Sequence, residues 1–291
     1  MTRSKVDTGC PDGLGFAAPP TIRRYDFAIP FLNSETMDMQ TRRWLRTPVL
    51  VLALAAASPA LWAQEIVVSA AASLTNAFQA IGQAWEKANP GHKATFNFAA
   101  SGALLAQMQQ GAPVDVFASA DQPTMDKAAA AKLITTGSRA DFVKNELVLV
   151  VPAKSALVPK VLGDLTAPDY KRIAAGAPAS VPVGRYTMDV IEQAGLAAPL
   201  QPKWIYGESV RQVLDYVTRG EVDAGFVYRT DALVKKDGTR VALVVPTPSH
   251  VTYPIAQLAA SRQPAAAQSF IAFVRGPQGQ QILGSFGFSR P

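Results

Sequence analysis

Hydroxyl-bearing or small residues recur in this sequence where a predicted strand ends and a helix begins. Ser73 follows the apolar run EIVVSAAA, Ser101 follows TFNFAA, and similar junctions occur at 183–184 and 209–210. The first N–H groups of a helix have no intrahelical acceptor and carry partial positive charge, which suits them to binding an anion. Tyr228 ends the run AGFVY, where its hydroxyl would reach over the carboxyl edge of a sheet. The chemistry indicated is the binding of an anion by neutral donors.

Each of these residues also has an ordinary structural explanation. A serine before a helix commonly serves only as its N-cap. A tyrosine that ends a strand is commonly a boundary aromatic with one wet end. Taken one at a time, the residues leave a structural role and a binding role open.

Catalysis finds little support in the sequence. We expect His92, in the turn NPGHK, and His250, after a Pro-rich loop, to lie on the surface. The motifs GxSxG, HExxH, GxGxxG and the P-loop do not occur. Asp115 and Asp121 flank the run VDVFASAD, but Asp121 is predicted to cap the helix 122–132. We therefore expect no enzyme, although a motif search leaves Ser/Lys chemistry open.

The elements that position these residues follow an alternating pattern. From residue 65 onward, short apolar runs alternate with helical patterns, which is typical of an α/β protein with mainly parallel sheets flanked by helices. In the first helix Leu74, Phe78, Ile81 and Trp85 recur at steps of three and four, which predicts one apolar face packed on a sheet.

Two similar strands divide the chain. The runs ELVLVVP at 146–152 and RVALVVP at 240–246 are predicted to be the crossings between two lobes joined by a short hinge. One lobe would comprise residues 64–145 plus 247–291, and the other residues 146–246.

An export signal is predicted ahead of the lobes. Residues 42–48 include three arginines, and the apolar run 48–63 is too short for a membrane-spanning helix, which needs about 20 apolar residues. A basic segment followed by a short apolar one is typical of a secretory signal peptide. We assign residues 37–63 to this signal, with cleavage near Ala63, and expect a periplasmic protein.

The preceding segment, 1–36, is Pro/Gly-rich and patternless, and contains the only cysteine, Cys10. Because signal peptides stand at the N-terminus, we expect Met37 or Met39 to be the true start and 1–36 to be a non-native or disordered leader. With no cysteine after Cys10, disulfides and thiolate metal sites are excluded from the lobes.

Charge argues against nucleic acid as a partner. The formal net charge is +6, and the charges are scattered, with no basic run after the signal longer than Lys235-Lys236. Nucleic-acid-binding proteins instead carry a clustered basic patch or stripe.

Six segments together resemble a known family, the periplasmic molybdate-binding proteins of ABC transporters. The likeness spans most of residues 65–290. The segments are AAASLTNAF (70–78), FAASGALLAQ (98–107), GAPVDVFASAD (111–121), VPVGRY (181–186), SVRQVL (209–214) and GFVYRTDA (225–232). The resemblance implies a two-lobed periplasmic binding protein fold of type II, with molybdate or tungstate in the cleft as ligand and no cofactor. It further implies a monomer that serves an inner-membrane permease and its ATPase.

Transferred motif by motif, the resemblance implies five ligand-binding residues. These are Ser73 and Ser101 through hydroxyl and N–H, Val183 and Val210 through N–H, and Tyr228 through its hydroxyl. They would hold the oxyanion by its oxygens, with no direct metal ligand. Two lie in one predicted lobe and three in the other, as a cleft that closes on its ligand requires.

Val183 departs from the family, which often has alanine there; the backbone donor is retained, but the extra methyl groups would narrow the cavity. Arg185, Arg211 and Arg229 neighbour the predicted site. Because the family binds its oxyanion through neutral donors, we expect these arginines to face solvent.

Two alternatives stay open on the sequence. One is a receptor for another tetrahedral oxyanion, such as sulfate or chromate. The other is a sensor or an enzyme built on the same fold.

Overall fold

The computed structural model describes residues 64–291; the predicted leader 1–36 and signal peptide 37–63 lie outside these residues. Ten strands form two five-stranded sheets. The first sheet contains β1 (Gln64–Ala71), β2 (His92–Ala99), β3 (Val116–Ala118), β4 (Ala140–Asn145) and β10 (Val251–Gln257). The second contains β5 (Leu147–Pro152), β6 (Ile173–Gly176), β7 (Trp204–Gly207), β8 (Ala224–Tyr228) and β9 (Thr239–Val245).

Each sheet has four strands in one direction and one reversed strand. The order is β2-β1-β3-β10-β4 in the first sheet and β7-β6-β8-β5-β9 in the second. In the first, β10 runs antiparallel to both neighbours, and in the second β5 does. The reversed strand is in each case the one that follows a crossing from the other sheet. The predicted α/β fold with two lobes and mainly parallel sheets is confirmed.

Helices connect the parallel strands, as parallel pairing requires. Nine α-helices are described: α1 (Thr75–Ala88), α2 (Ser101–Gln109), α3 (Gln122–Ala130), α4 (Pro182–Gln193), α5 (Ala197–Leu200), α6 (Val210–Thr218), α7 (Arg229–Val234), α8 (Pro264–Arg275) and α9 (Pro277–Ser285). Short 3-10 turns occupy Ala72–Leu74, Leu162–Thr166 and Gln201–Lys203. Within 64–291, none of the helices has the length and apolar character needed to cross a membrane.

The apolar face predicted for the first helix packs into the core of the first lobe. Phe78, Ile81 and Trp85 are fully buried. The Phe78 ring lies 5.8 Å from that of Phe142 and 6.0 Å from that of Phe270, centroid to centroid. These contacts fix α1 on its sheet, and with it the turn that carries Ser73.

The core packing of Phe78 makes a testable prediction. Phe78→Ala should lower the free energy of unfolding by roughly 3–5 kcal/mol, since it removes a buried ring and leaves a cavity. Val244→Ala is the control, because Val244 is 58% exposed and its loss should cost about 0.5 kcal/mol or less. Urea denaturation measures both; equal, small losses would mean that α1 is not packed as described.

Candidate functional site

The five residues predicted from sequence line a single small cavity. Its volume is about 10 Å³, which is about the space that one water position requires. Ser73 and Ser101 come from the first lobe, and Val183, Val210 and Tyr228 from the second. Small apolar residues complete the lining: Ala71, Ala72, Ala100, Ala120, Val181 and Pro182. The cavity is therefore small, and residues of both lobes line it.

In the first lobe both serines stand at the carboxyl end of a strand. Ser73 lies in the 3-10 turn between β1 and α1, and Ser101 is the first residue of α2. At these positions their N–H groups have no acceptor within the helix. The Ser101 Oγ accepts the N–H of Ala120 at 3.0 Å, and the Ser73 Oγ lies 3.0 Å from the Tyr253 Oη.

In the second lobe two helices present their first residues to the cavity. Val210 is the first residue of α6 and Val183 is the second of α4. The Ser209 side chain caps the N–H of Gln212, so the N–H of Val210 stays available. For α4, Pro182 occupies the first position, which leaves Val183 as the first residue with an N–H. Four N–H groups from four helical starts thus converge on the cavity.

Tyr228 contributes a hydroxyl that no described protein group satisfies. It is the last residue of β8, is 1% exposed, and its Oη has no hydrogen-bond partner among residues 64–291. Burial raises the pKa of Tyr228 well above its ordinary value, so the phenol keeps its proton. A buried, unpaired donor costs about 1–3 kcal/mol, and at the cavity wall this hydroxyl is available to an acceptor in the cavity.

The structure corrects the prediction for two of the three arginines. Arg185 and Arg211 do not face solvent: the side chain of each is 23% exposed and pairs with a buried carboxylate. Asp121 and Asp231 are buried, and a buried carboxylate without a partner is costly. The two guanidinium groups therefore turn inward to pair with them. Arg229 is different, pairing at 2.6 Å with Glu146 on the surface, with both side chains at least half exposed. None of the three lines the cavity.

The Arg185 side chain forms a bridge between the lobes that the sequence did not reveal. Its Nε lies 2.8 Å and its Nη2 2.6 Å from Asp121 Oδ2, and Nη2 also donates to the Thr124 Oγ1 at 2.8 Å. Asp121 in addition accepts the N–H of Thr124, which confirms its predicted role as an N-cap. Asp121 and Thr124 belong to the first lobe and Arg185 to the second, so this ion pair holds the lobes together.

A backbone contact joins the lobes close to the cavity. The Gly102 N–H donates to the Ser180 carbonyl oxygen at 3.0 Å. A Cβ on Gly102 would lie 2.6 Å from that oxygen, so only glycine permits this approach. The sequence analysis missed this contact; the signal that could have revealed it is a glycine at the second position of a helix, where no turn requires one.

Arg211 links the site to a buried acid. Its Nε lies 2.7 Å from Asp231 Oδ1, and its Nη2 donates to the Ser73 carbonyl oxygen at 3.4 Å. Burial raises the pKa of Asp231 to about 6, although the Arg211 guanidinium opposes this shift. Arg211 therefore meets the first lobe through a backbone oxygen, while its charge is balanced within the second lobe.

The other titratable candidates lie elsewhere. Asp115 accepts hydrogen bonds from the Val67 N–H and the Ser261 hydroxyl, which explains its burial. His250 is exposed as predicted, whereas His92 is half-buried with its ring 5.4 Å from that of Trp85. Across residues 64–291, no cluster of three His, Cys, Asp or Glu side chains could hold a metal ion.

Comparison with known proteins identifies the family of the chain. Residues 66–289 match the family model for bacterial extracellular solute-binding proteins. The chain belongs to that family. This solute-binding protein is 36% identical over 256 residues to the molybdate-binding protein ModA of Escherichia coli strain K12, an alignment that covers 85% of this chain and 98% of the relative.

Solved structures share the fold of this solute-binding protein. The periplasmic molybdate-binding protein of Azotobacter vinelandii aligns with a TM-score of 0.68 at 23% identity, over 78% of this chain and 99% of the other. The sulfate-binding protein SubI of Mycobacterium tuberculosis H37Rv aligns with a TM-score of 0.70 at 17% identity, over 78% and 87%. At these identities the likeness concerns the fold alone.

The bridge at Asp121 predicts a difference between two aspartates. Asp121→Ala should lower the free energy of unfolding by roughly 1–3 kcal/mol, since it removes a helix cap and leaves Arg185 without its carboxylate. Asp126→Ala is the matched control: Asp126 pairs with Arg139 at 2.6 Å, but its side chain is 63% exposed, so the pair should contribute about 1 kcal/mol or less. Equal losses in denaturant titrations would contradict the buried bridge.

Proposed function

We propose that this solute-binding protein captures molybdate, and also tungstate, between its lobes in the periplasm and delivers it to an inner-membrane ABC permease and its ATPase. The proposal identifies Ser73, Ser101, Val183, Val210 and Tyr228 as the ligand-binding residues. It includes no catalytic step and no cofactor.

One observation carries the proposal: residues with donor groups from both lobes line one small cavity, and one of these groups is a buried hydroxyl with no hydrogen-bond partner among residues 64–291. Tyr228 is that hydroxyl. Four helical starts surround it with N–H groups that have no acceptor in their own helices. The identity with a relative named as a molybdate-binding protein supports the choice of anion.

The donor set is suited to an anion that carries no proton. Moving a dianion from water into a protein is costly unless hydrogen bonds replace its hydration. Hydrogen bonds to a charged group are worth roughly 1.5–3 kcal/mol each, and the cavity offers hydroxyls and N–H groups together. Because no carboxylate lines the cavity, a protonated anion would point its own hydrogen at another hydrogen and bind poorly.

Size provides a second means of selection. The five proposed residues surround the anion with donors at fixed positions. If the anion is smaller than molybdate, some of these donors lie too far from its oxygens to form hydrogen bonds, and an unsatisfied buried donor costs free energy. We therefore expect sulfate to bind more weakly than molybdate or tungstate.

Closure of the lobes brings all five proposed ligand-binding residues around the anion. We propose that 64–145 plus 247–291 and 146–246 move as two bodies about the crossings near 145–147 and 245–251. Neither lobe alone supplies all five residues. A ligand that contacts both therefore favours the closed state over the open one and shifts the population toward it.

Calorimetry tests the proposed function. The purified protein should bind molybdate and tungstate with one site per chain, and sulfate much more weakly. Heat with sulfate but none with molybdate would favour the alternative oxyanion receptor. Absence of heat with all three, in folded protein, would refute an oxyanion receptor altogether.

The two hydroxyl donors give a sharper prediction. Ser101→Ala and Tyr228→Phe should each weaken molybdate binding about 10- to 100-fold, since each removes one hydrogen bond to a charged group. Ser69→Ala and Tyr170→Phe are matched controls, because both residues are buried and lie outside the cavity. If binding in the site variants equals that in the controls, the site is misplaced.

Closure can be tested separately at Gly102. Gly102→Ala should weaken molybdate binding roughly 5- to 100-fold, because a side chain forced against the Ser180 carbonyl costs about 1–3 kcal/mol in the closed state. The variant should still fold, since alanine favours the helix and the clash is confined to the contact between the lobes. Gly284→Ala, also helical but with no atom near the added carbon, should bind normally; unchanged affinity in Gly102→Ala would contradict closure at this contact.

A further inference from the structure

A buried chain of hydrogen bonds links Ser73 to three residues that do not line the cavity. The Ser73 Oγ lies 3.0 Å from the Tyr253 Oη, which receives the Asn145 Nδ2 at 3.2 Å. The same Nδ2 donates to the Thr230 Oγ1 at 2.9 Å. Asn145 ends β4, where the chain crosses to the second sheet, and Tyr253 lies in β10. All four residues are at least 92% buried.

The direction of the chain follows from Asn145. Its Oδ1 accepts the backbone N–H of Glu146 at 2.9 Å, which fixes the amide oxygen on that side. The amide nitrogen then carries two hydrogens, one for the Thr230 hydroxyl and one for the Tyr253 hydroxyl. Tyr253 Oη is therefore an acceptor from Asn145.

The hydroxyl proton of Tyr253 has one available hydrogen-bond acceptor among the described residues. Burial raises the pKa of Tyr253 well above its ordinary value, so the phenol stays protonated. Within 64–291, Ser73 Oγ is the one hydrogen-bond acceptor in reach of that proton. If Ser73 instead donated to Tyr253, the phenol proton would be buried without an acceptor, at a cost of about 1–3 kcal/mol.

We propose that Tyr253 and Asn145 are positioning residues that make Ser73 a hydrogen-bond donor to the anion. Asn145 donates to Tyr253, Tyr253 donates to Ser73, and the Ser73 proton is thereby directed into the cavity. This inference rests on the proposed function. Its consequence is selectivity: one lone pair of Ser73 Oγ is occupied by Tyr253 and its proton is directed at the anion, so Ser73 favours an unprotonated anion oxygen over a protonated one.

The Ser101 hydroxyl is also made a donor to the anion, by a single hydrogen bond from the backbone. Its Oγ accepts the backbone N–H of Ala120 at 3.0 Å, which leaves its own proton for the cavity. Tyr228 differs, because within 64–291 its Oη has no hydrogen-bond partner and its proton is not used by the protein. The three hydroxyls at the cavity thus act alike, two of them because another group donates to them.

Tyr253→Phe tests the direction of the chain through the sign of its effect. The variant should bind molybdate roughly 3- to 10-fold more weakly, the loss expected for one neutral hydrogen bond, because Ser73 is no longer oriented or polarised. If Ser73 donated to Tyr253, removing the phenol oxygen would release the Ser73 proton and binding would stay equal or tighten. Equal or tighter binding therefore overturns the proposal.

A double-mutant cycle separates positioning from a general loss of structure. In a Ser73→Ala background, Tyr253→Phe should change molybdate affinity less than twofold, because the effect passes through the Ser73 hydroxyl. The same loss in both backgrounds would overturn the proposal. Tyr170→Phe is the control for the chemical change alone. Failure of the wild-type protein to bind molybdate would instead refute the proposed function.

Neutron diffraction of the wild-type protein provides a test that needs no variant. The deuteron on Tyr253 Oη should point at the Ser73 Oγ, and the Asn145 amide deuterons at Tyr253 and Thr230. A deuteron on Ser73 that points at Tyr253 would overturn the proposal.

Discussion

The constraint on which this structure depends is that an anion taken out of water must have its oxygens met by hydrogen-bond donors. Strand ends followed directly by helices meet this constraint with backbone groups, because the first N–H groups of each helix have no other acceptor. The two sheets bring four such starts to one cavity, and Tyr228 adds a buried hydroxyl that has no partner in the part of the chain that the structure describes. The α/β fold therefore places several hydrogen-bond donors around one cavity. The apolar core around Phe78 holds the first of these helices on its sheet.

Among the described residues, none with a charged side chain lines the cavity, but two arginines form ion pairs close to it. Arg185 and Arg211 lie next to the predicted ligand residues in sequence, yet their guanidinium groups are bound by Asp121 and Asp231. An arginine in the cavity would attract any anion by charge, whereas fixed neutral donors respond to the positions of its oxygens and to its protons. The Arg185 bridge joins the lobes, so the ion pair favours their closure, and in the proposed function the neutral donors of the cavity select the ligand.

Much of this arrangement could be predicted from the sequence, because strand–helix junctions are local features. Ser73 and Ser101 stand directly after apolar runs, and periodicity alone gave the buried face of α1. The partners of Arg185 could not be predicted in this way, since 64 residues separate it from Asp121. The Ser73–Tyr253 contact spans 180 residues and depends on β10 returning to the first sheet after the whole second lobe. Contacts of this kind depend on the topology of the fold and cannot be predicted from local sequence patterns.

The central claim, that the donors of the two lobes enclose a molybdate ion, is tested most directly by anomalous X-ray diffraction from crystals of the protein grown with molybdate. The account predicts one molybdenum peak per chain, in the cavity between Ser73, Ser101, Val183, Val210 and Tyr228, with the oxygens within hydrogen-bond distance of their N–H and hydroxyl groups. A molybdenum peak at surface arginines, with the cavity holding no metal, would contradict it.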